Sequence, residues 1–281
     1  MRFEDFASAH GLILRHVDFG RWIRCSTTDH PHKKNGSYKH LGDVAFVQNH
    51  ATMTEPAVWF PEKESDIRID LKRVEIAKRK AKEELESGRR KAASSAKTML
   101  DSSVLEQHAY LDAKGFPDMR GLVFYKDEAT NLLIIPMKVQ DQIVGAQTIT
   151  REGEKKFIFG QRCSGAEFRI GSGGAHFWCE GYATGLSIHA ALTAAKITHI
   201  IHVCFSAGNM QSMATAFGAG FVIADNDQSR TGLKAAQATG LPYFMPPKEG
   251  DDFNDLHRAQ GLSRASQALR KFMQEAKRKA I

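Results

Sequence analysis

From residue 176 onward the chain repeats one unit, a short apolar run followed by a helical stretch, and that alternation leaves few folds open. The apolar runs are HFWCE, HIIHV, GFVIA and LPYFM, and the helical stretches begin near Thr184, Ala207 and Thr231. Short, continuously apolar strands alternating with helices predict an α/β domain whose parallel sheet is covered on both faces. In such a sheet the functional groups gather beyond the carboxyl ends of the strands, where the connections diverge.

The remainder of the chain has a different pattern. Residues 1–62 mix β-like runs such as DVAFVQN and AVWF with the turn-rich DHPHKKNGSY, which reads as a small β module. Residues 63–99 switch to Lys, Arg, Glu and Ala and read as a basic helical linker interrupted at Gly88. Residues 100–117 are expected to form a helix ending near Gly115 and Pro117, followed by the strand candidates LVFY, LLIIPM, IVGAQTI and FIF. Residues 100–175 therefore form a β-rich subdomain, 176–262 the α/β domain, and 263–281 a basic amphipathic helix. The glycine-rich GSGGAHFW (171–178) has neither a dinucleotide fingerprint nor a phosphate-loop lysine and reads as a flexible connection between the two halves.

Charge is distributed unevenly along this plan. The net charge is +7, yet residues 63–97 and 258–281 are both strongly basic, while residues 176–257 carry more acids than bases. Basic arms around an acidic centre suit a polyanion held by the arms and divalent cations drawn to the centre, although solvated helix faces would give the same counts. The four cysteines (Cys25, Cys163, Cys179, Cys204) form no CxxC pair, which disfavours a disulfide framework and an ordinary zinc ribbon. No stretch approaches the roughly 20 apolar residues of a membrane span, and the opening MRFEDFASAH has no apolar signal core. A cytoplasmic protein without a membrane partner is expected.

Three acidic features fall at strand ends. Glu180 closes the first strand and is followed by Gly181. Asp225 and Asp227 close the third, where alternate spacing in an extended segment would aim both carboxylates the same way. Asp251-Asp252-Phe253-Asn254-Asp255 follows the fourth strand and opens a helix. Carboxylate oxygens brought together from separate strand ends are what Mg²⁺ requires, although Asp252, Asn254 and Asp255 equally suit helix capping. His189 and His202 lie among apolar neighbours and read as core histidines, and packing is the expected role of Trp22, Trp59 and Trp178.

Glu-Gly at a strand end, then Asp-x-Asp, then Asp-Phe-Asn-Asp resembles the Toprim domain. The wording EGYATGLSIHAA, ADNDQSRTGLKAA and GDDFNDLH is similar to the Toprim domains of DNA primases encoded by phages and conjugative plasmids. Upstream, Tyr110-Leu111, Lys114-Gly115, Leu133 to Met137, Val144 to Gln147 and Lys156-Phe157 resemble the subdomain that precedes Toprim in those primases. Residues 21–62 resemble a degenerate form of their N-terminal zinc-binding module. Cys25, His30, His32, His40 and His50 offer donors there, but the four-ligand pattern is missing, so a structural Zn²⁺ is not expected.

The resemblance implies a magnesium-dependent (or manganese-dependent) primase that makes short RNA from ribonucleoside triphosphates on single-stranded DNA. Glu180, Asp225, Asp227 and Asp252 would be metal ligands, Glu180 alternatively a proton acceptor, and Lys156 a catalytic cation that neutralises the phosphates. Lys138, Lys156 and Arg162 would hold nucleotide or DNA. No GxxxxGK[ST] segment is present, so a replicative helicase would be a separate partner. The rival readings are a Toprim nuclease using the same acids, and a non-catalytic replication or recombination scaffold; a topoisomerase would need a catalytic tyrosine on a large further domain.

Overall fold

The computed structural model describes residues 1–61, 71–127 and 130–279, with the backbone alone for 71–78 and 279. The first part of the expected linker helix, 63–70, lies outside the described residues. The chain forms two compact units, Met1–Glu86 and Ser87–Ile281. Among the described residues the strands make three five-stranded sheets, and no helix is long and apolar enough to cross a membrane.

The first unit contains α1 (Phe3–Ala9) and the strands β1 (Leu12–Ile13), β2 (Ile23–Thr27), β3 (Gly36–His40), β4 (Ala45–Asn49) and β5 (Ala57–Trp59). They pair antiparallel in sequence order around Phe3, Leu12, Tyr38, Val47 and Trp59. Gly36 is required where β3 crosses β2, because a Cβ there would stand 2.9 Å from Cys25 Sγ. Burial pushes the Cys25 thiol up to about 11, against the opposing effect of Arg24. Protein packed around the His50 ring lowers its pKa to about 4, helped by Arg24, although the residue keeps solvent contact, and the ring hydrogen-bonds Ser37 Oγ at 2.9 Å.

Helix α2 (Leu71–Asp101) runs without a break through Gly88, contrary to the expected interruption. One glycine inside a helix costs about 1 kcal/mol, which the burial of Ala92 and Ala96 downstream offsets. Gly88 lies beside Gly160, where a Cβ would stand 3.4 Å from the Gly88 carbonyl oxygen.

The expected helix over 100–117 is replaced by β6 (Val104–Gln107) and the short α3 (Ala109–Ala113). Ser103 Oγ donates to Met99 O at 2.7 Å and closes α2, after which Val104 and Leu105 pair with Val123 and Leu122. The helical periodicity was carried by residues that cap and pair instead. The second sheet continues with β7 (Arg120–Tyr125), β8 (Asn131–Val139), β9 (Gln142–Ile149) and β10 (Lys155–Phe157), antiparallel in the order β10-β9-β8-β7-β6. Its two faces differ. Leu133, Ile135, Met137 and Ile149 join the main core, whereas Ile134 and Ala146 pack with Ala96 of α2.

The third sheet holds β11 (Phe168–Gly171), β12 (Ala175–Cys179), β13 (His199–Val203), β14 (Phe221–Ile223) and β15 (Tyr243–Phe244), in the order β11-β13-β12-β14-β15. β12 to β15 are mutually parallel and β11 is antiparallel to β13. The GSGG stretch is therefore a tight link within one sheet. Gly171 has φ +83° and approaches β13 so closely that a Cβ would stand 2.5 Å from His199 O.

Helix α4 (Tyr182–Ala194) lies with the core that buries Phe177, Cys179, Ile201 and Val203. Helices α5 (Ala207–Phe217) and α6 (Thr231–Ala238) lie with the core around Trp178, Cys204 and Val222. Alternate residues of the strands thus feed opposite faces. α7 (Phe253–Gln260) and α8 (Leu262–Lys279) complete the unit. α8 packs on α4 through Ala265, Leu269 and Met273 and leaves Arg264, Arg270, Lys271 and Lys277 exposed, so the basic terminal segment is half core and half charged surface.

Candidate active site

The strand order reverses at β12: its connection through α4 leads to β13 on one side, while β14 lies on the other and leads through α6 to β15. Divergence of connections opens a crevice between the carboxyl ends of β12 and β14. The register sets Cys179 beside Ile223, so Glu180 and Asp225 leave adjacent strands one and two residues later. Neighbouring strands lie about 4.8 Å apart, so the two acids emerge as neighbours. The Glu180 carbonyl also accepts Phe205 N–H at 2.9 Å, which carries the β12–β13 ladder past the strand end.

Asp252 arrives from the next loop. Asn226 N–H donates to Asp251 O at 3.0 Å and Gly250 N–H donates to Asn226 O, tying the exit of β14 to the approach of α7. Asp252 caps α7: its Oδ1 accepts Asp255 N–H at 2.9 Å while Asp255 Oδ2 accepts Asp252 N–H at 3.1 Å. Capping fixes the position of this carboxylate.

Asp225 is the electrostatic centre. Its Oδ1 is buried without a hydrogen-bond partner. Burial, and then the negative charges of Glu180 and Asp252, push its pKa up to about 8, with Lys155 opposing and Asp227 adding a smaller push. An oxygen shielded from water and left unpartnered among like charges is an unstable arrangement unless a cation or proton is drawn in.

Asp227 is directed elsewhere. β14 stops at Ile223, so residues 225–227 are not a strand and strand alternation does not govern the two carboxylates. Asp227 Oδ1 accepts from Ser229 Oγ and from Thr231 N–H at 3.2 Å, and Oδ2 accepts Gly232 N–H at 2.9 Å. Burial would raise its pKa, but these donors, led by Ser229, outweigh it and hold the group below the usual carboxylate range. Gly232 permits this packing, since a Cβ there would meet Asp225 O at 2.6 Å and Asp227 Oδ2 at 3.3 Å.

The facing cation is Lys155, not Lys156. On β10 Lys155 is paired with Ile149 and Lys156 with Thr148, so the two lysines point to opposite faces. Lys156 is exposed and pairs with Glu154 at 3.0 Å. Lys155 is exposed as a residue, yet desolvation lowers its pKa; Lys114 adds to that, and Asp252, Asp225 and Glu180 oppose it. Its Nζ stands 5.9 Å from the centre of the Tyr110 ring. The buried Tyr110 hydroxyl has no partner, and burial followed by Asp252 raises its pKa.

Lys138 and Arg162 do not join this group. The Lys138 backbone bridges Glu167 at a bulge in β8, and Arg162 Nε donates to Ser164 O at 2.9 Å on an exposed loop. Asn254, which sequence reading leaves as a cap, is a structural tie: wholly buried, its Nδ2 donates to Lys114 O at 2.8 Å and Ser187 Oγ at 2.9 Å. It joins α7 to α4 and to the turn that carries Lys114.

Among the described residues no three His, Cys, Asp or Glu side chains form a ready metal cage. Glu180, Asp225 and Asp252 are instead within electrostatic reach of one another, with Asp227 turned to α6. Oxygen donors of this kind, with the bare Asp225 Oδ1 among them, fit a hard cation that keeps several waters and takes its other ligands from phosphate.

Residues 176–263 match the family model of the Toprim domain, a domain of primases, nucleases and topoisomerases that generally binds Mg²⁺. No curated protein and no solved structure matches the chain.

Proposed function

We propose that this protein is a primase-type nucleotidyltransferase that makes short RNA on a single-stranded DNA template, in phage or plasmid replication, inside a bacterial cell or infected host. The observation that carries the reading is Asp225, buried and unpartnered between Glu180 and Asp252, with Lys155 of the preceding sheet facing all three. The acids belong to the Toprim match. The lysine belongs to a segment that resembles the subdomain preceding Toprim in primases, and that origin favours building over cutting the phosphodiester.

In this mechanism Asp225 and Asp252 would hold Mg²⁺ or Mn²⁺, and Glu180 would either share in that or accept the proton of the attacking 3′-hydroxyl. The bound ion would supply charge stabilisation at the transferring phosphate and at the attacking and leaving oxygens. Lys155 and Lys114 neutralise and orient the triphosphate, which matters because phosphoryl transfer is catalysed chiefly by positioning and electrostatics. Asp227 anchors the start of α6 and so keeps the Asp225 loop in place. The exposed basic face of α8 suits the template backbone, through contacts that weaken with salt. A separate helicase would supply the unwound template.

The test is incubation with single-stranded DNA, ribonucleoside triphosphates and Mg²⁺. Short template-dependent ribo-oligomers that vanish in Asp225→Asn are expected. Shortening of the DNA in their place would make the protein a nuclease, and DNA binding without either reaction would make it a scaffold.

A further inference from the structure

The face of β10 that carries Lys155 toward the acids also carries Phe157, two residues on. Phe157 pairs with Gln147 as Lys155 pairs with Ile149, and Gln147 and Ile149 are both buried on the side of the sheet that joins the main core. Phe157 nevertheless remains 44% exposed, on a strand that lies at the edge of its sheet. Its ring lies 6.3 Å from that of Phe205, nearly perpendicular at 81°.

Phe205 is itself unusual. Its φ is +67°, a conformation that a bulky side chain rarely adopts, and its N–H is bonded to the Glu180 carbonyl. The backbone that fixes Glu180 therefore also fixes the ring that braces Phe157. Phe205 is almost wholly buried and meets Phe157 edge to face, while Phe157 keeps 44% of its surface in solvent. A partly exposed aromatic ring, held by an edge contact and sharing its strand face with Lys155, suits a stacking platform for bases.

We propose that Phe157, braced by Phe205, stacks on the base of the nucleotide whose phosphates face Lys155. This assignment rests on the nucleotidyl-transfer reading of the site and adds to it the place of the base. Stacking uses the ring face that all bases share, so the platform contributes affinity with little preference among them.

The test compares two probes on the full-length chain in Mg²⁺ without template: the riboside triphosphate of 2-aminopurine, a fluorescent base, and inorganic triphosphate, which has none. Fluorescence of the first is expected to be quenched on binding. Phe157→Ala is expected to weaken nucleotide binding roughly 5- to 150-fold and abolish the quench, with Phe157→Tyr restoring both. Inorganic triphosphate binding is expected to be unchanged in Phe157→Ala and weakened in Lys155→Ala. Equal nucleotide affinity in wild type and Phe157→Ala overturns the platform while leaving the phosphate site intact. Failure of both probes to bind the wild type overturns the site reading together with it.

Discussion

Lys155 and Lys156 are adjacent in sequence and face opposite sides of one sheet, the first toward Asp225 and the second toward Glu154 in solvent. This parity separates two lysines that composition cannot distinguish. Lys155→Ala is expected to lower oligoribonucleotide yield roughly 100-fold, the scale for losing one electrostatic contact to a developing charge. Lys156→Ala, which removes a surface ion pair, is expected to stay within about threefold of wild type. Initial rates at matched protein concentration check both.

Asp227 is expected to act first on stability. Its carboxylate accepts the Thr231 and Gly232 N–H groups at the start of α6. Asp227→Ala should cost about 1–2 kcal/mol, the range for losing a helix cap, and Asp227→Asn should recover part of it. Urea midpoints read the difference directly.

Gly232→Ala tests how tightly α6 must approach the acid loop. A methyl group would meet the Asp225 carbonyl oxygen at 2.6 Å, and backbone cannot move aside cheaply. A loss of roughly 1–3 kcal/mol is expected despite the better helix propensity of alanine. The thermal midpoint measures it.

The core histidine expected at position 202 turned out to be part of a charged network. Glu167 Oε2 accepts His202 Nδ1–H at 2.5 Å and its Oε1 pairs with Arg169 Nε at 2.7 Å, while Arg169 also reaches Asp141 and His202 reaches His176 at 2.8 Å. Burial would raise the Glu167 pKa, but His202 and Arg169 outweigh it and hold the group below its ordinary 4.5. A depressed carboxyl stabilises the fold above its unfolded pKa and loses that contribution as pH falls through its folded value. Glu167→Gln is therefore expected to cost about 1–2 kcal/mol at pH 7 and progressively less below about pH 4. Denaturation midpoints across that window check the sign.

Much of the α/β half was readable from its sequence because buried parallel strands are short, apolar and separated by helices, and because Glu180 and Asp225 stand where such strands end. Strand alternation does not reach Asp227 for a local reason: β14 ends at Ile223, and Ser229, Thr231 and Gly232 offer donors that hold the carboxylate at the start of α6. Lys155 was missed because its direction depends on pairing with Ile149, a register set by tertiary structure rather than by neighbours. Its one sequence signal was the shared parity with Phe157 in a short hairpin strand. The helix expected over 100–117 shows the same limit, since Val104 and Leu105 were placed by their partners in β7.

The central claim is that Asp225 Oδ1, buried without a partner, marks where a divalent cation binds. Isothermal titration of Mg²⁺ and Mn²⁺ into the wild-type protein and Asp225→Asn tests it without reference to any reaction. The expected result is saturable binding to the wild type and roughly tenfold or weaker binding to the variant. Equal binding by the two proteins, or none by either, would contradict the account.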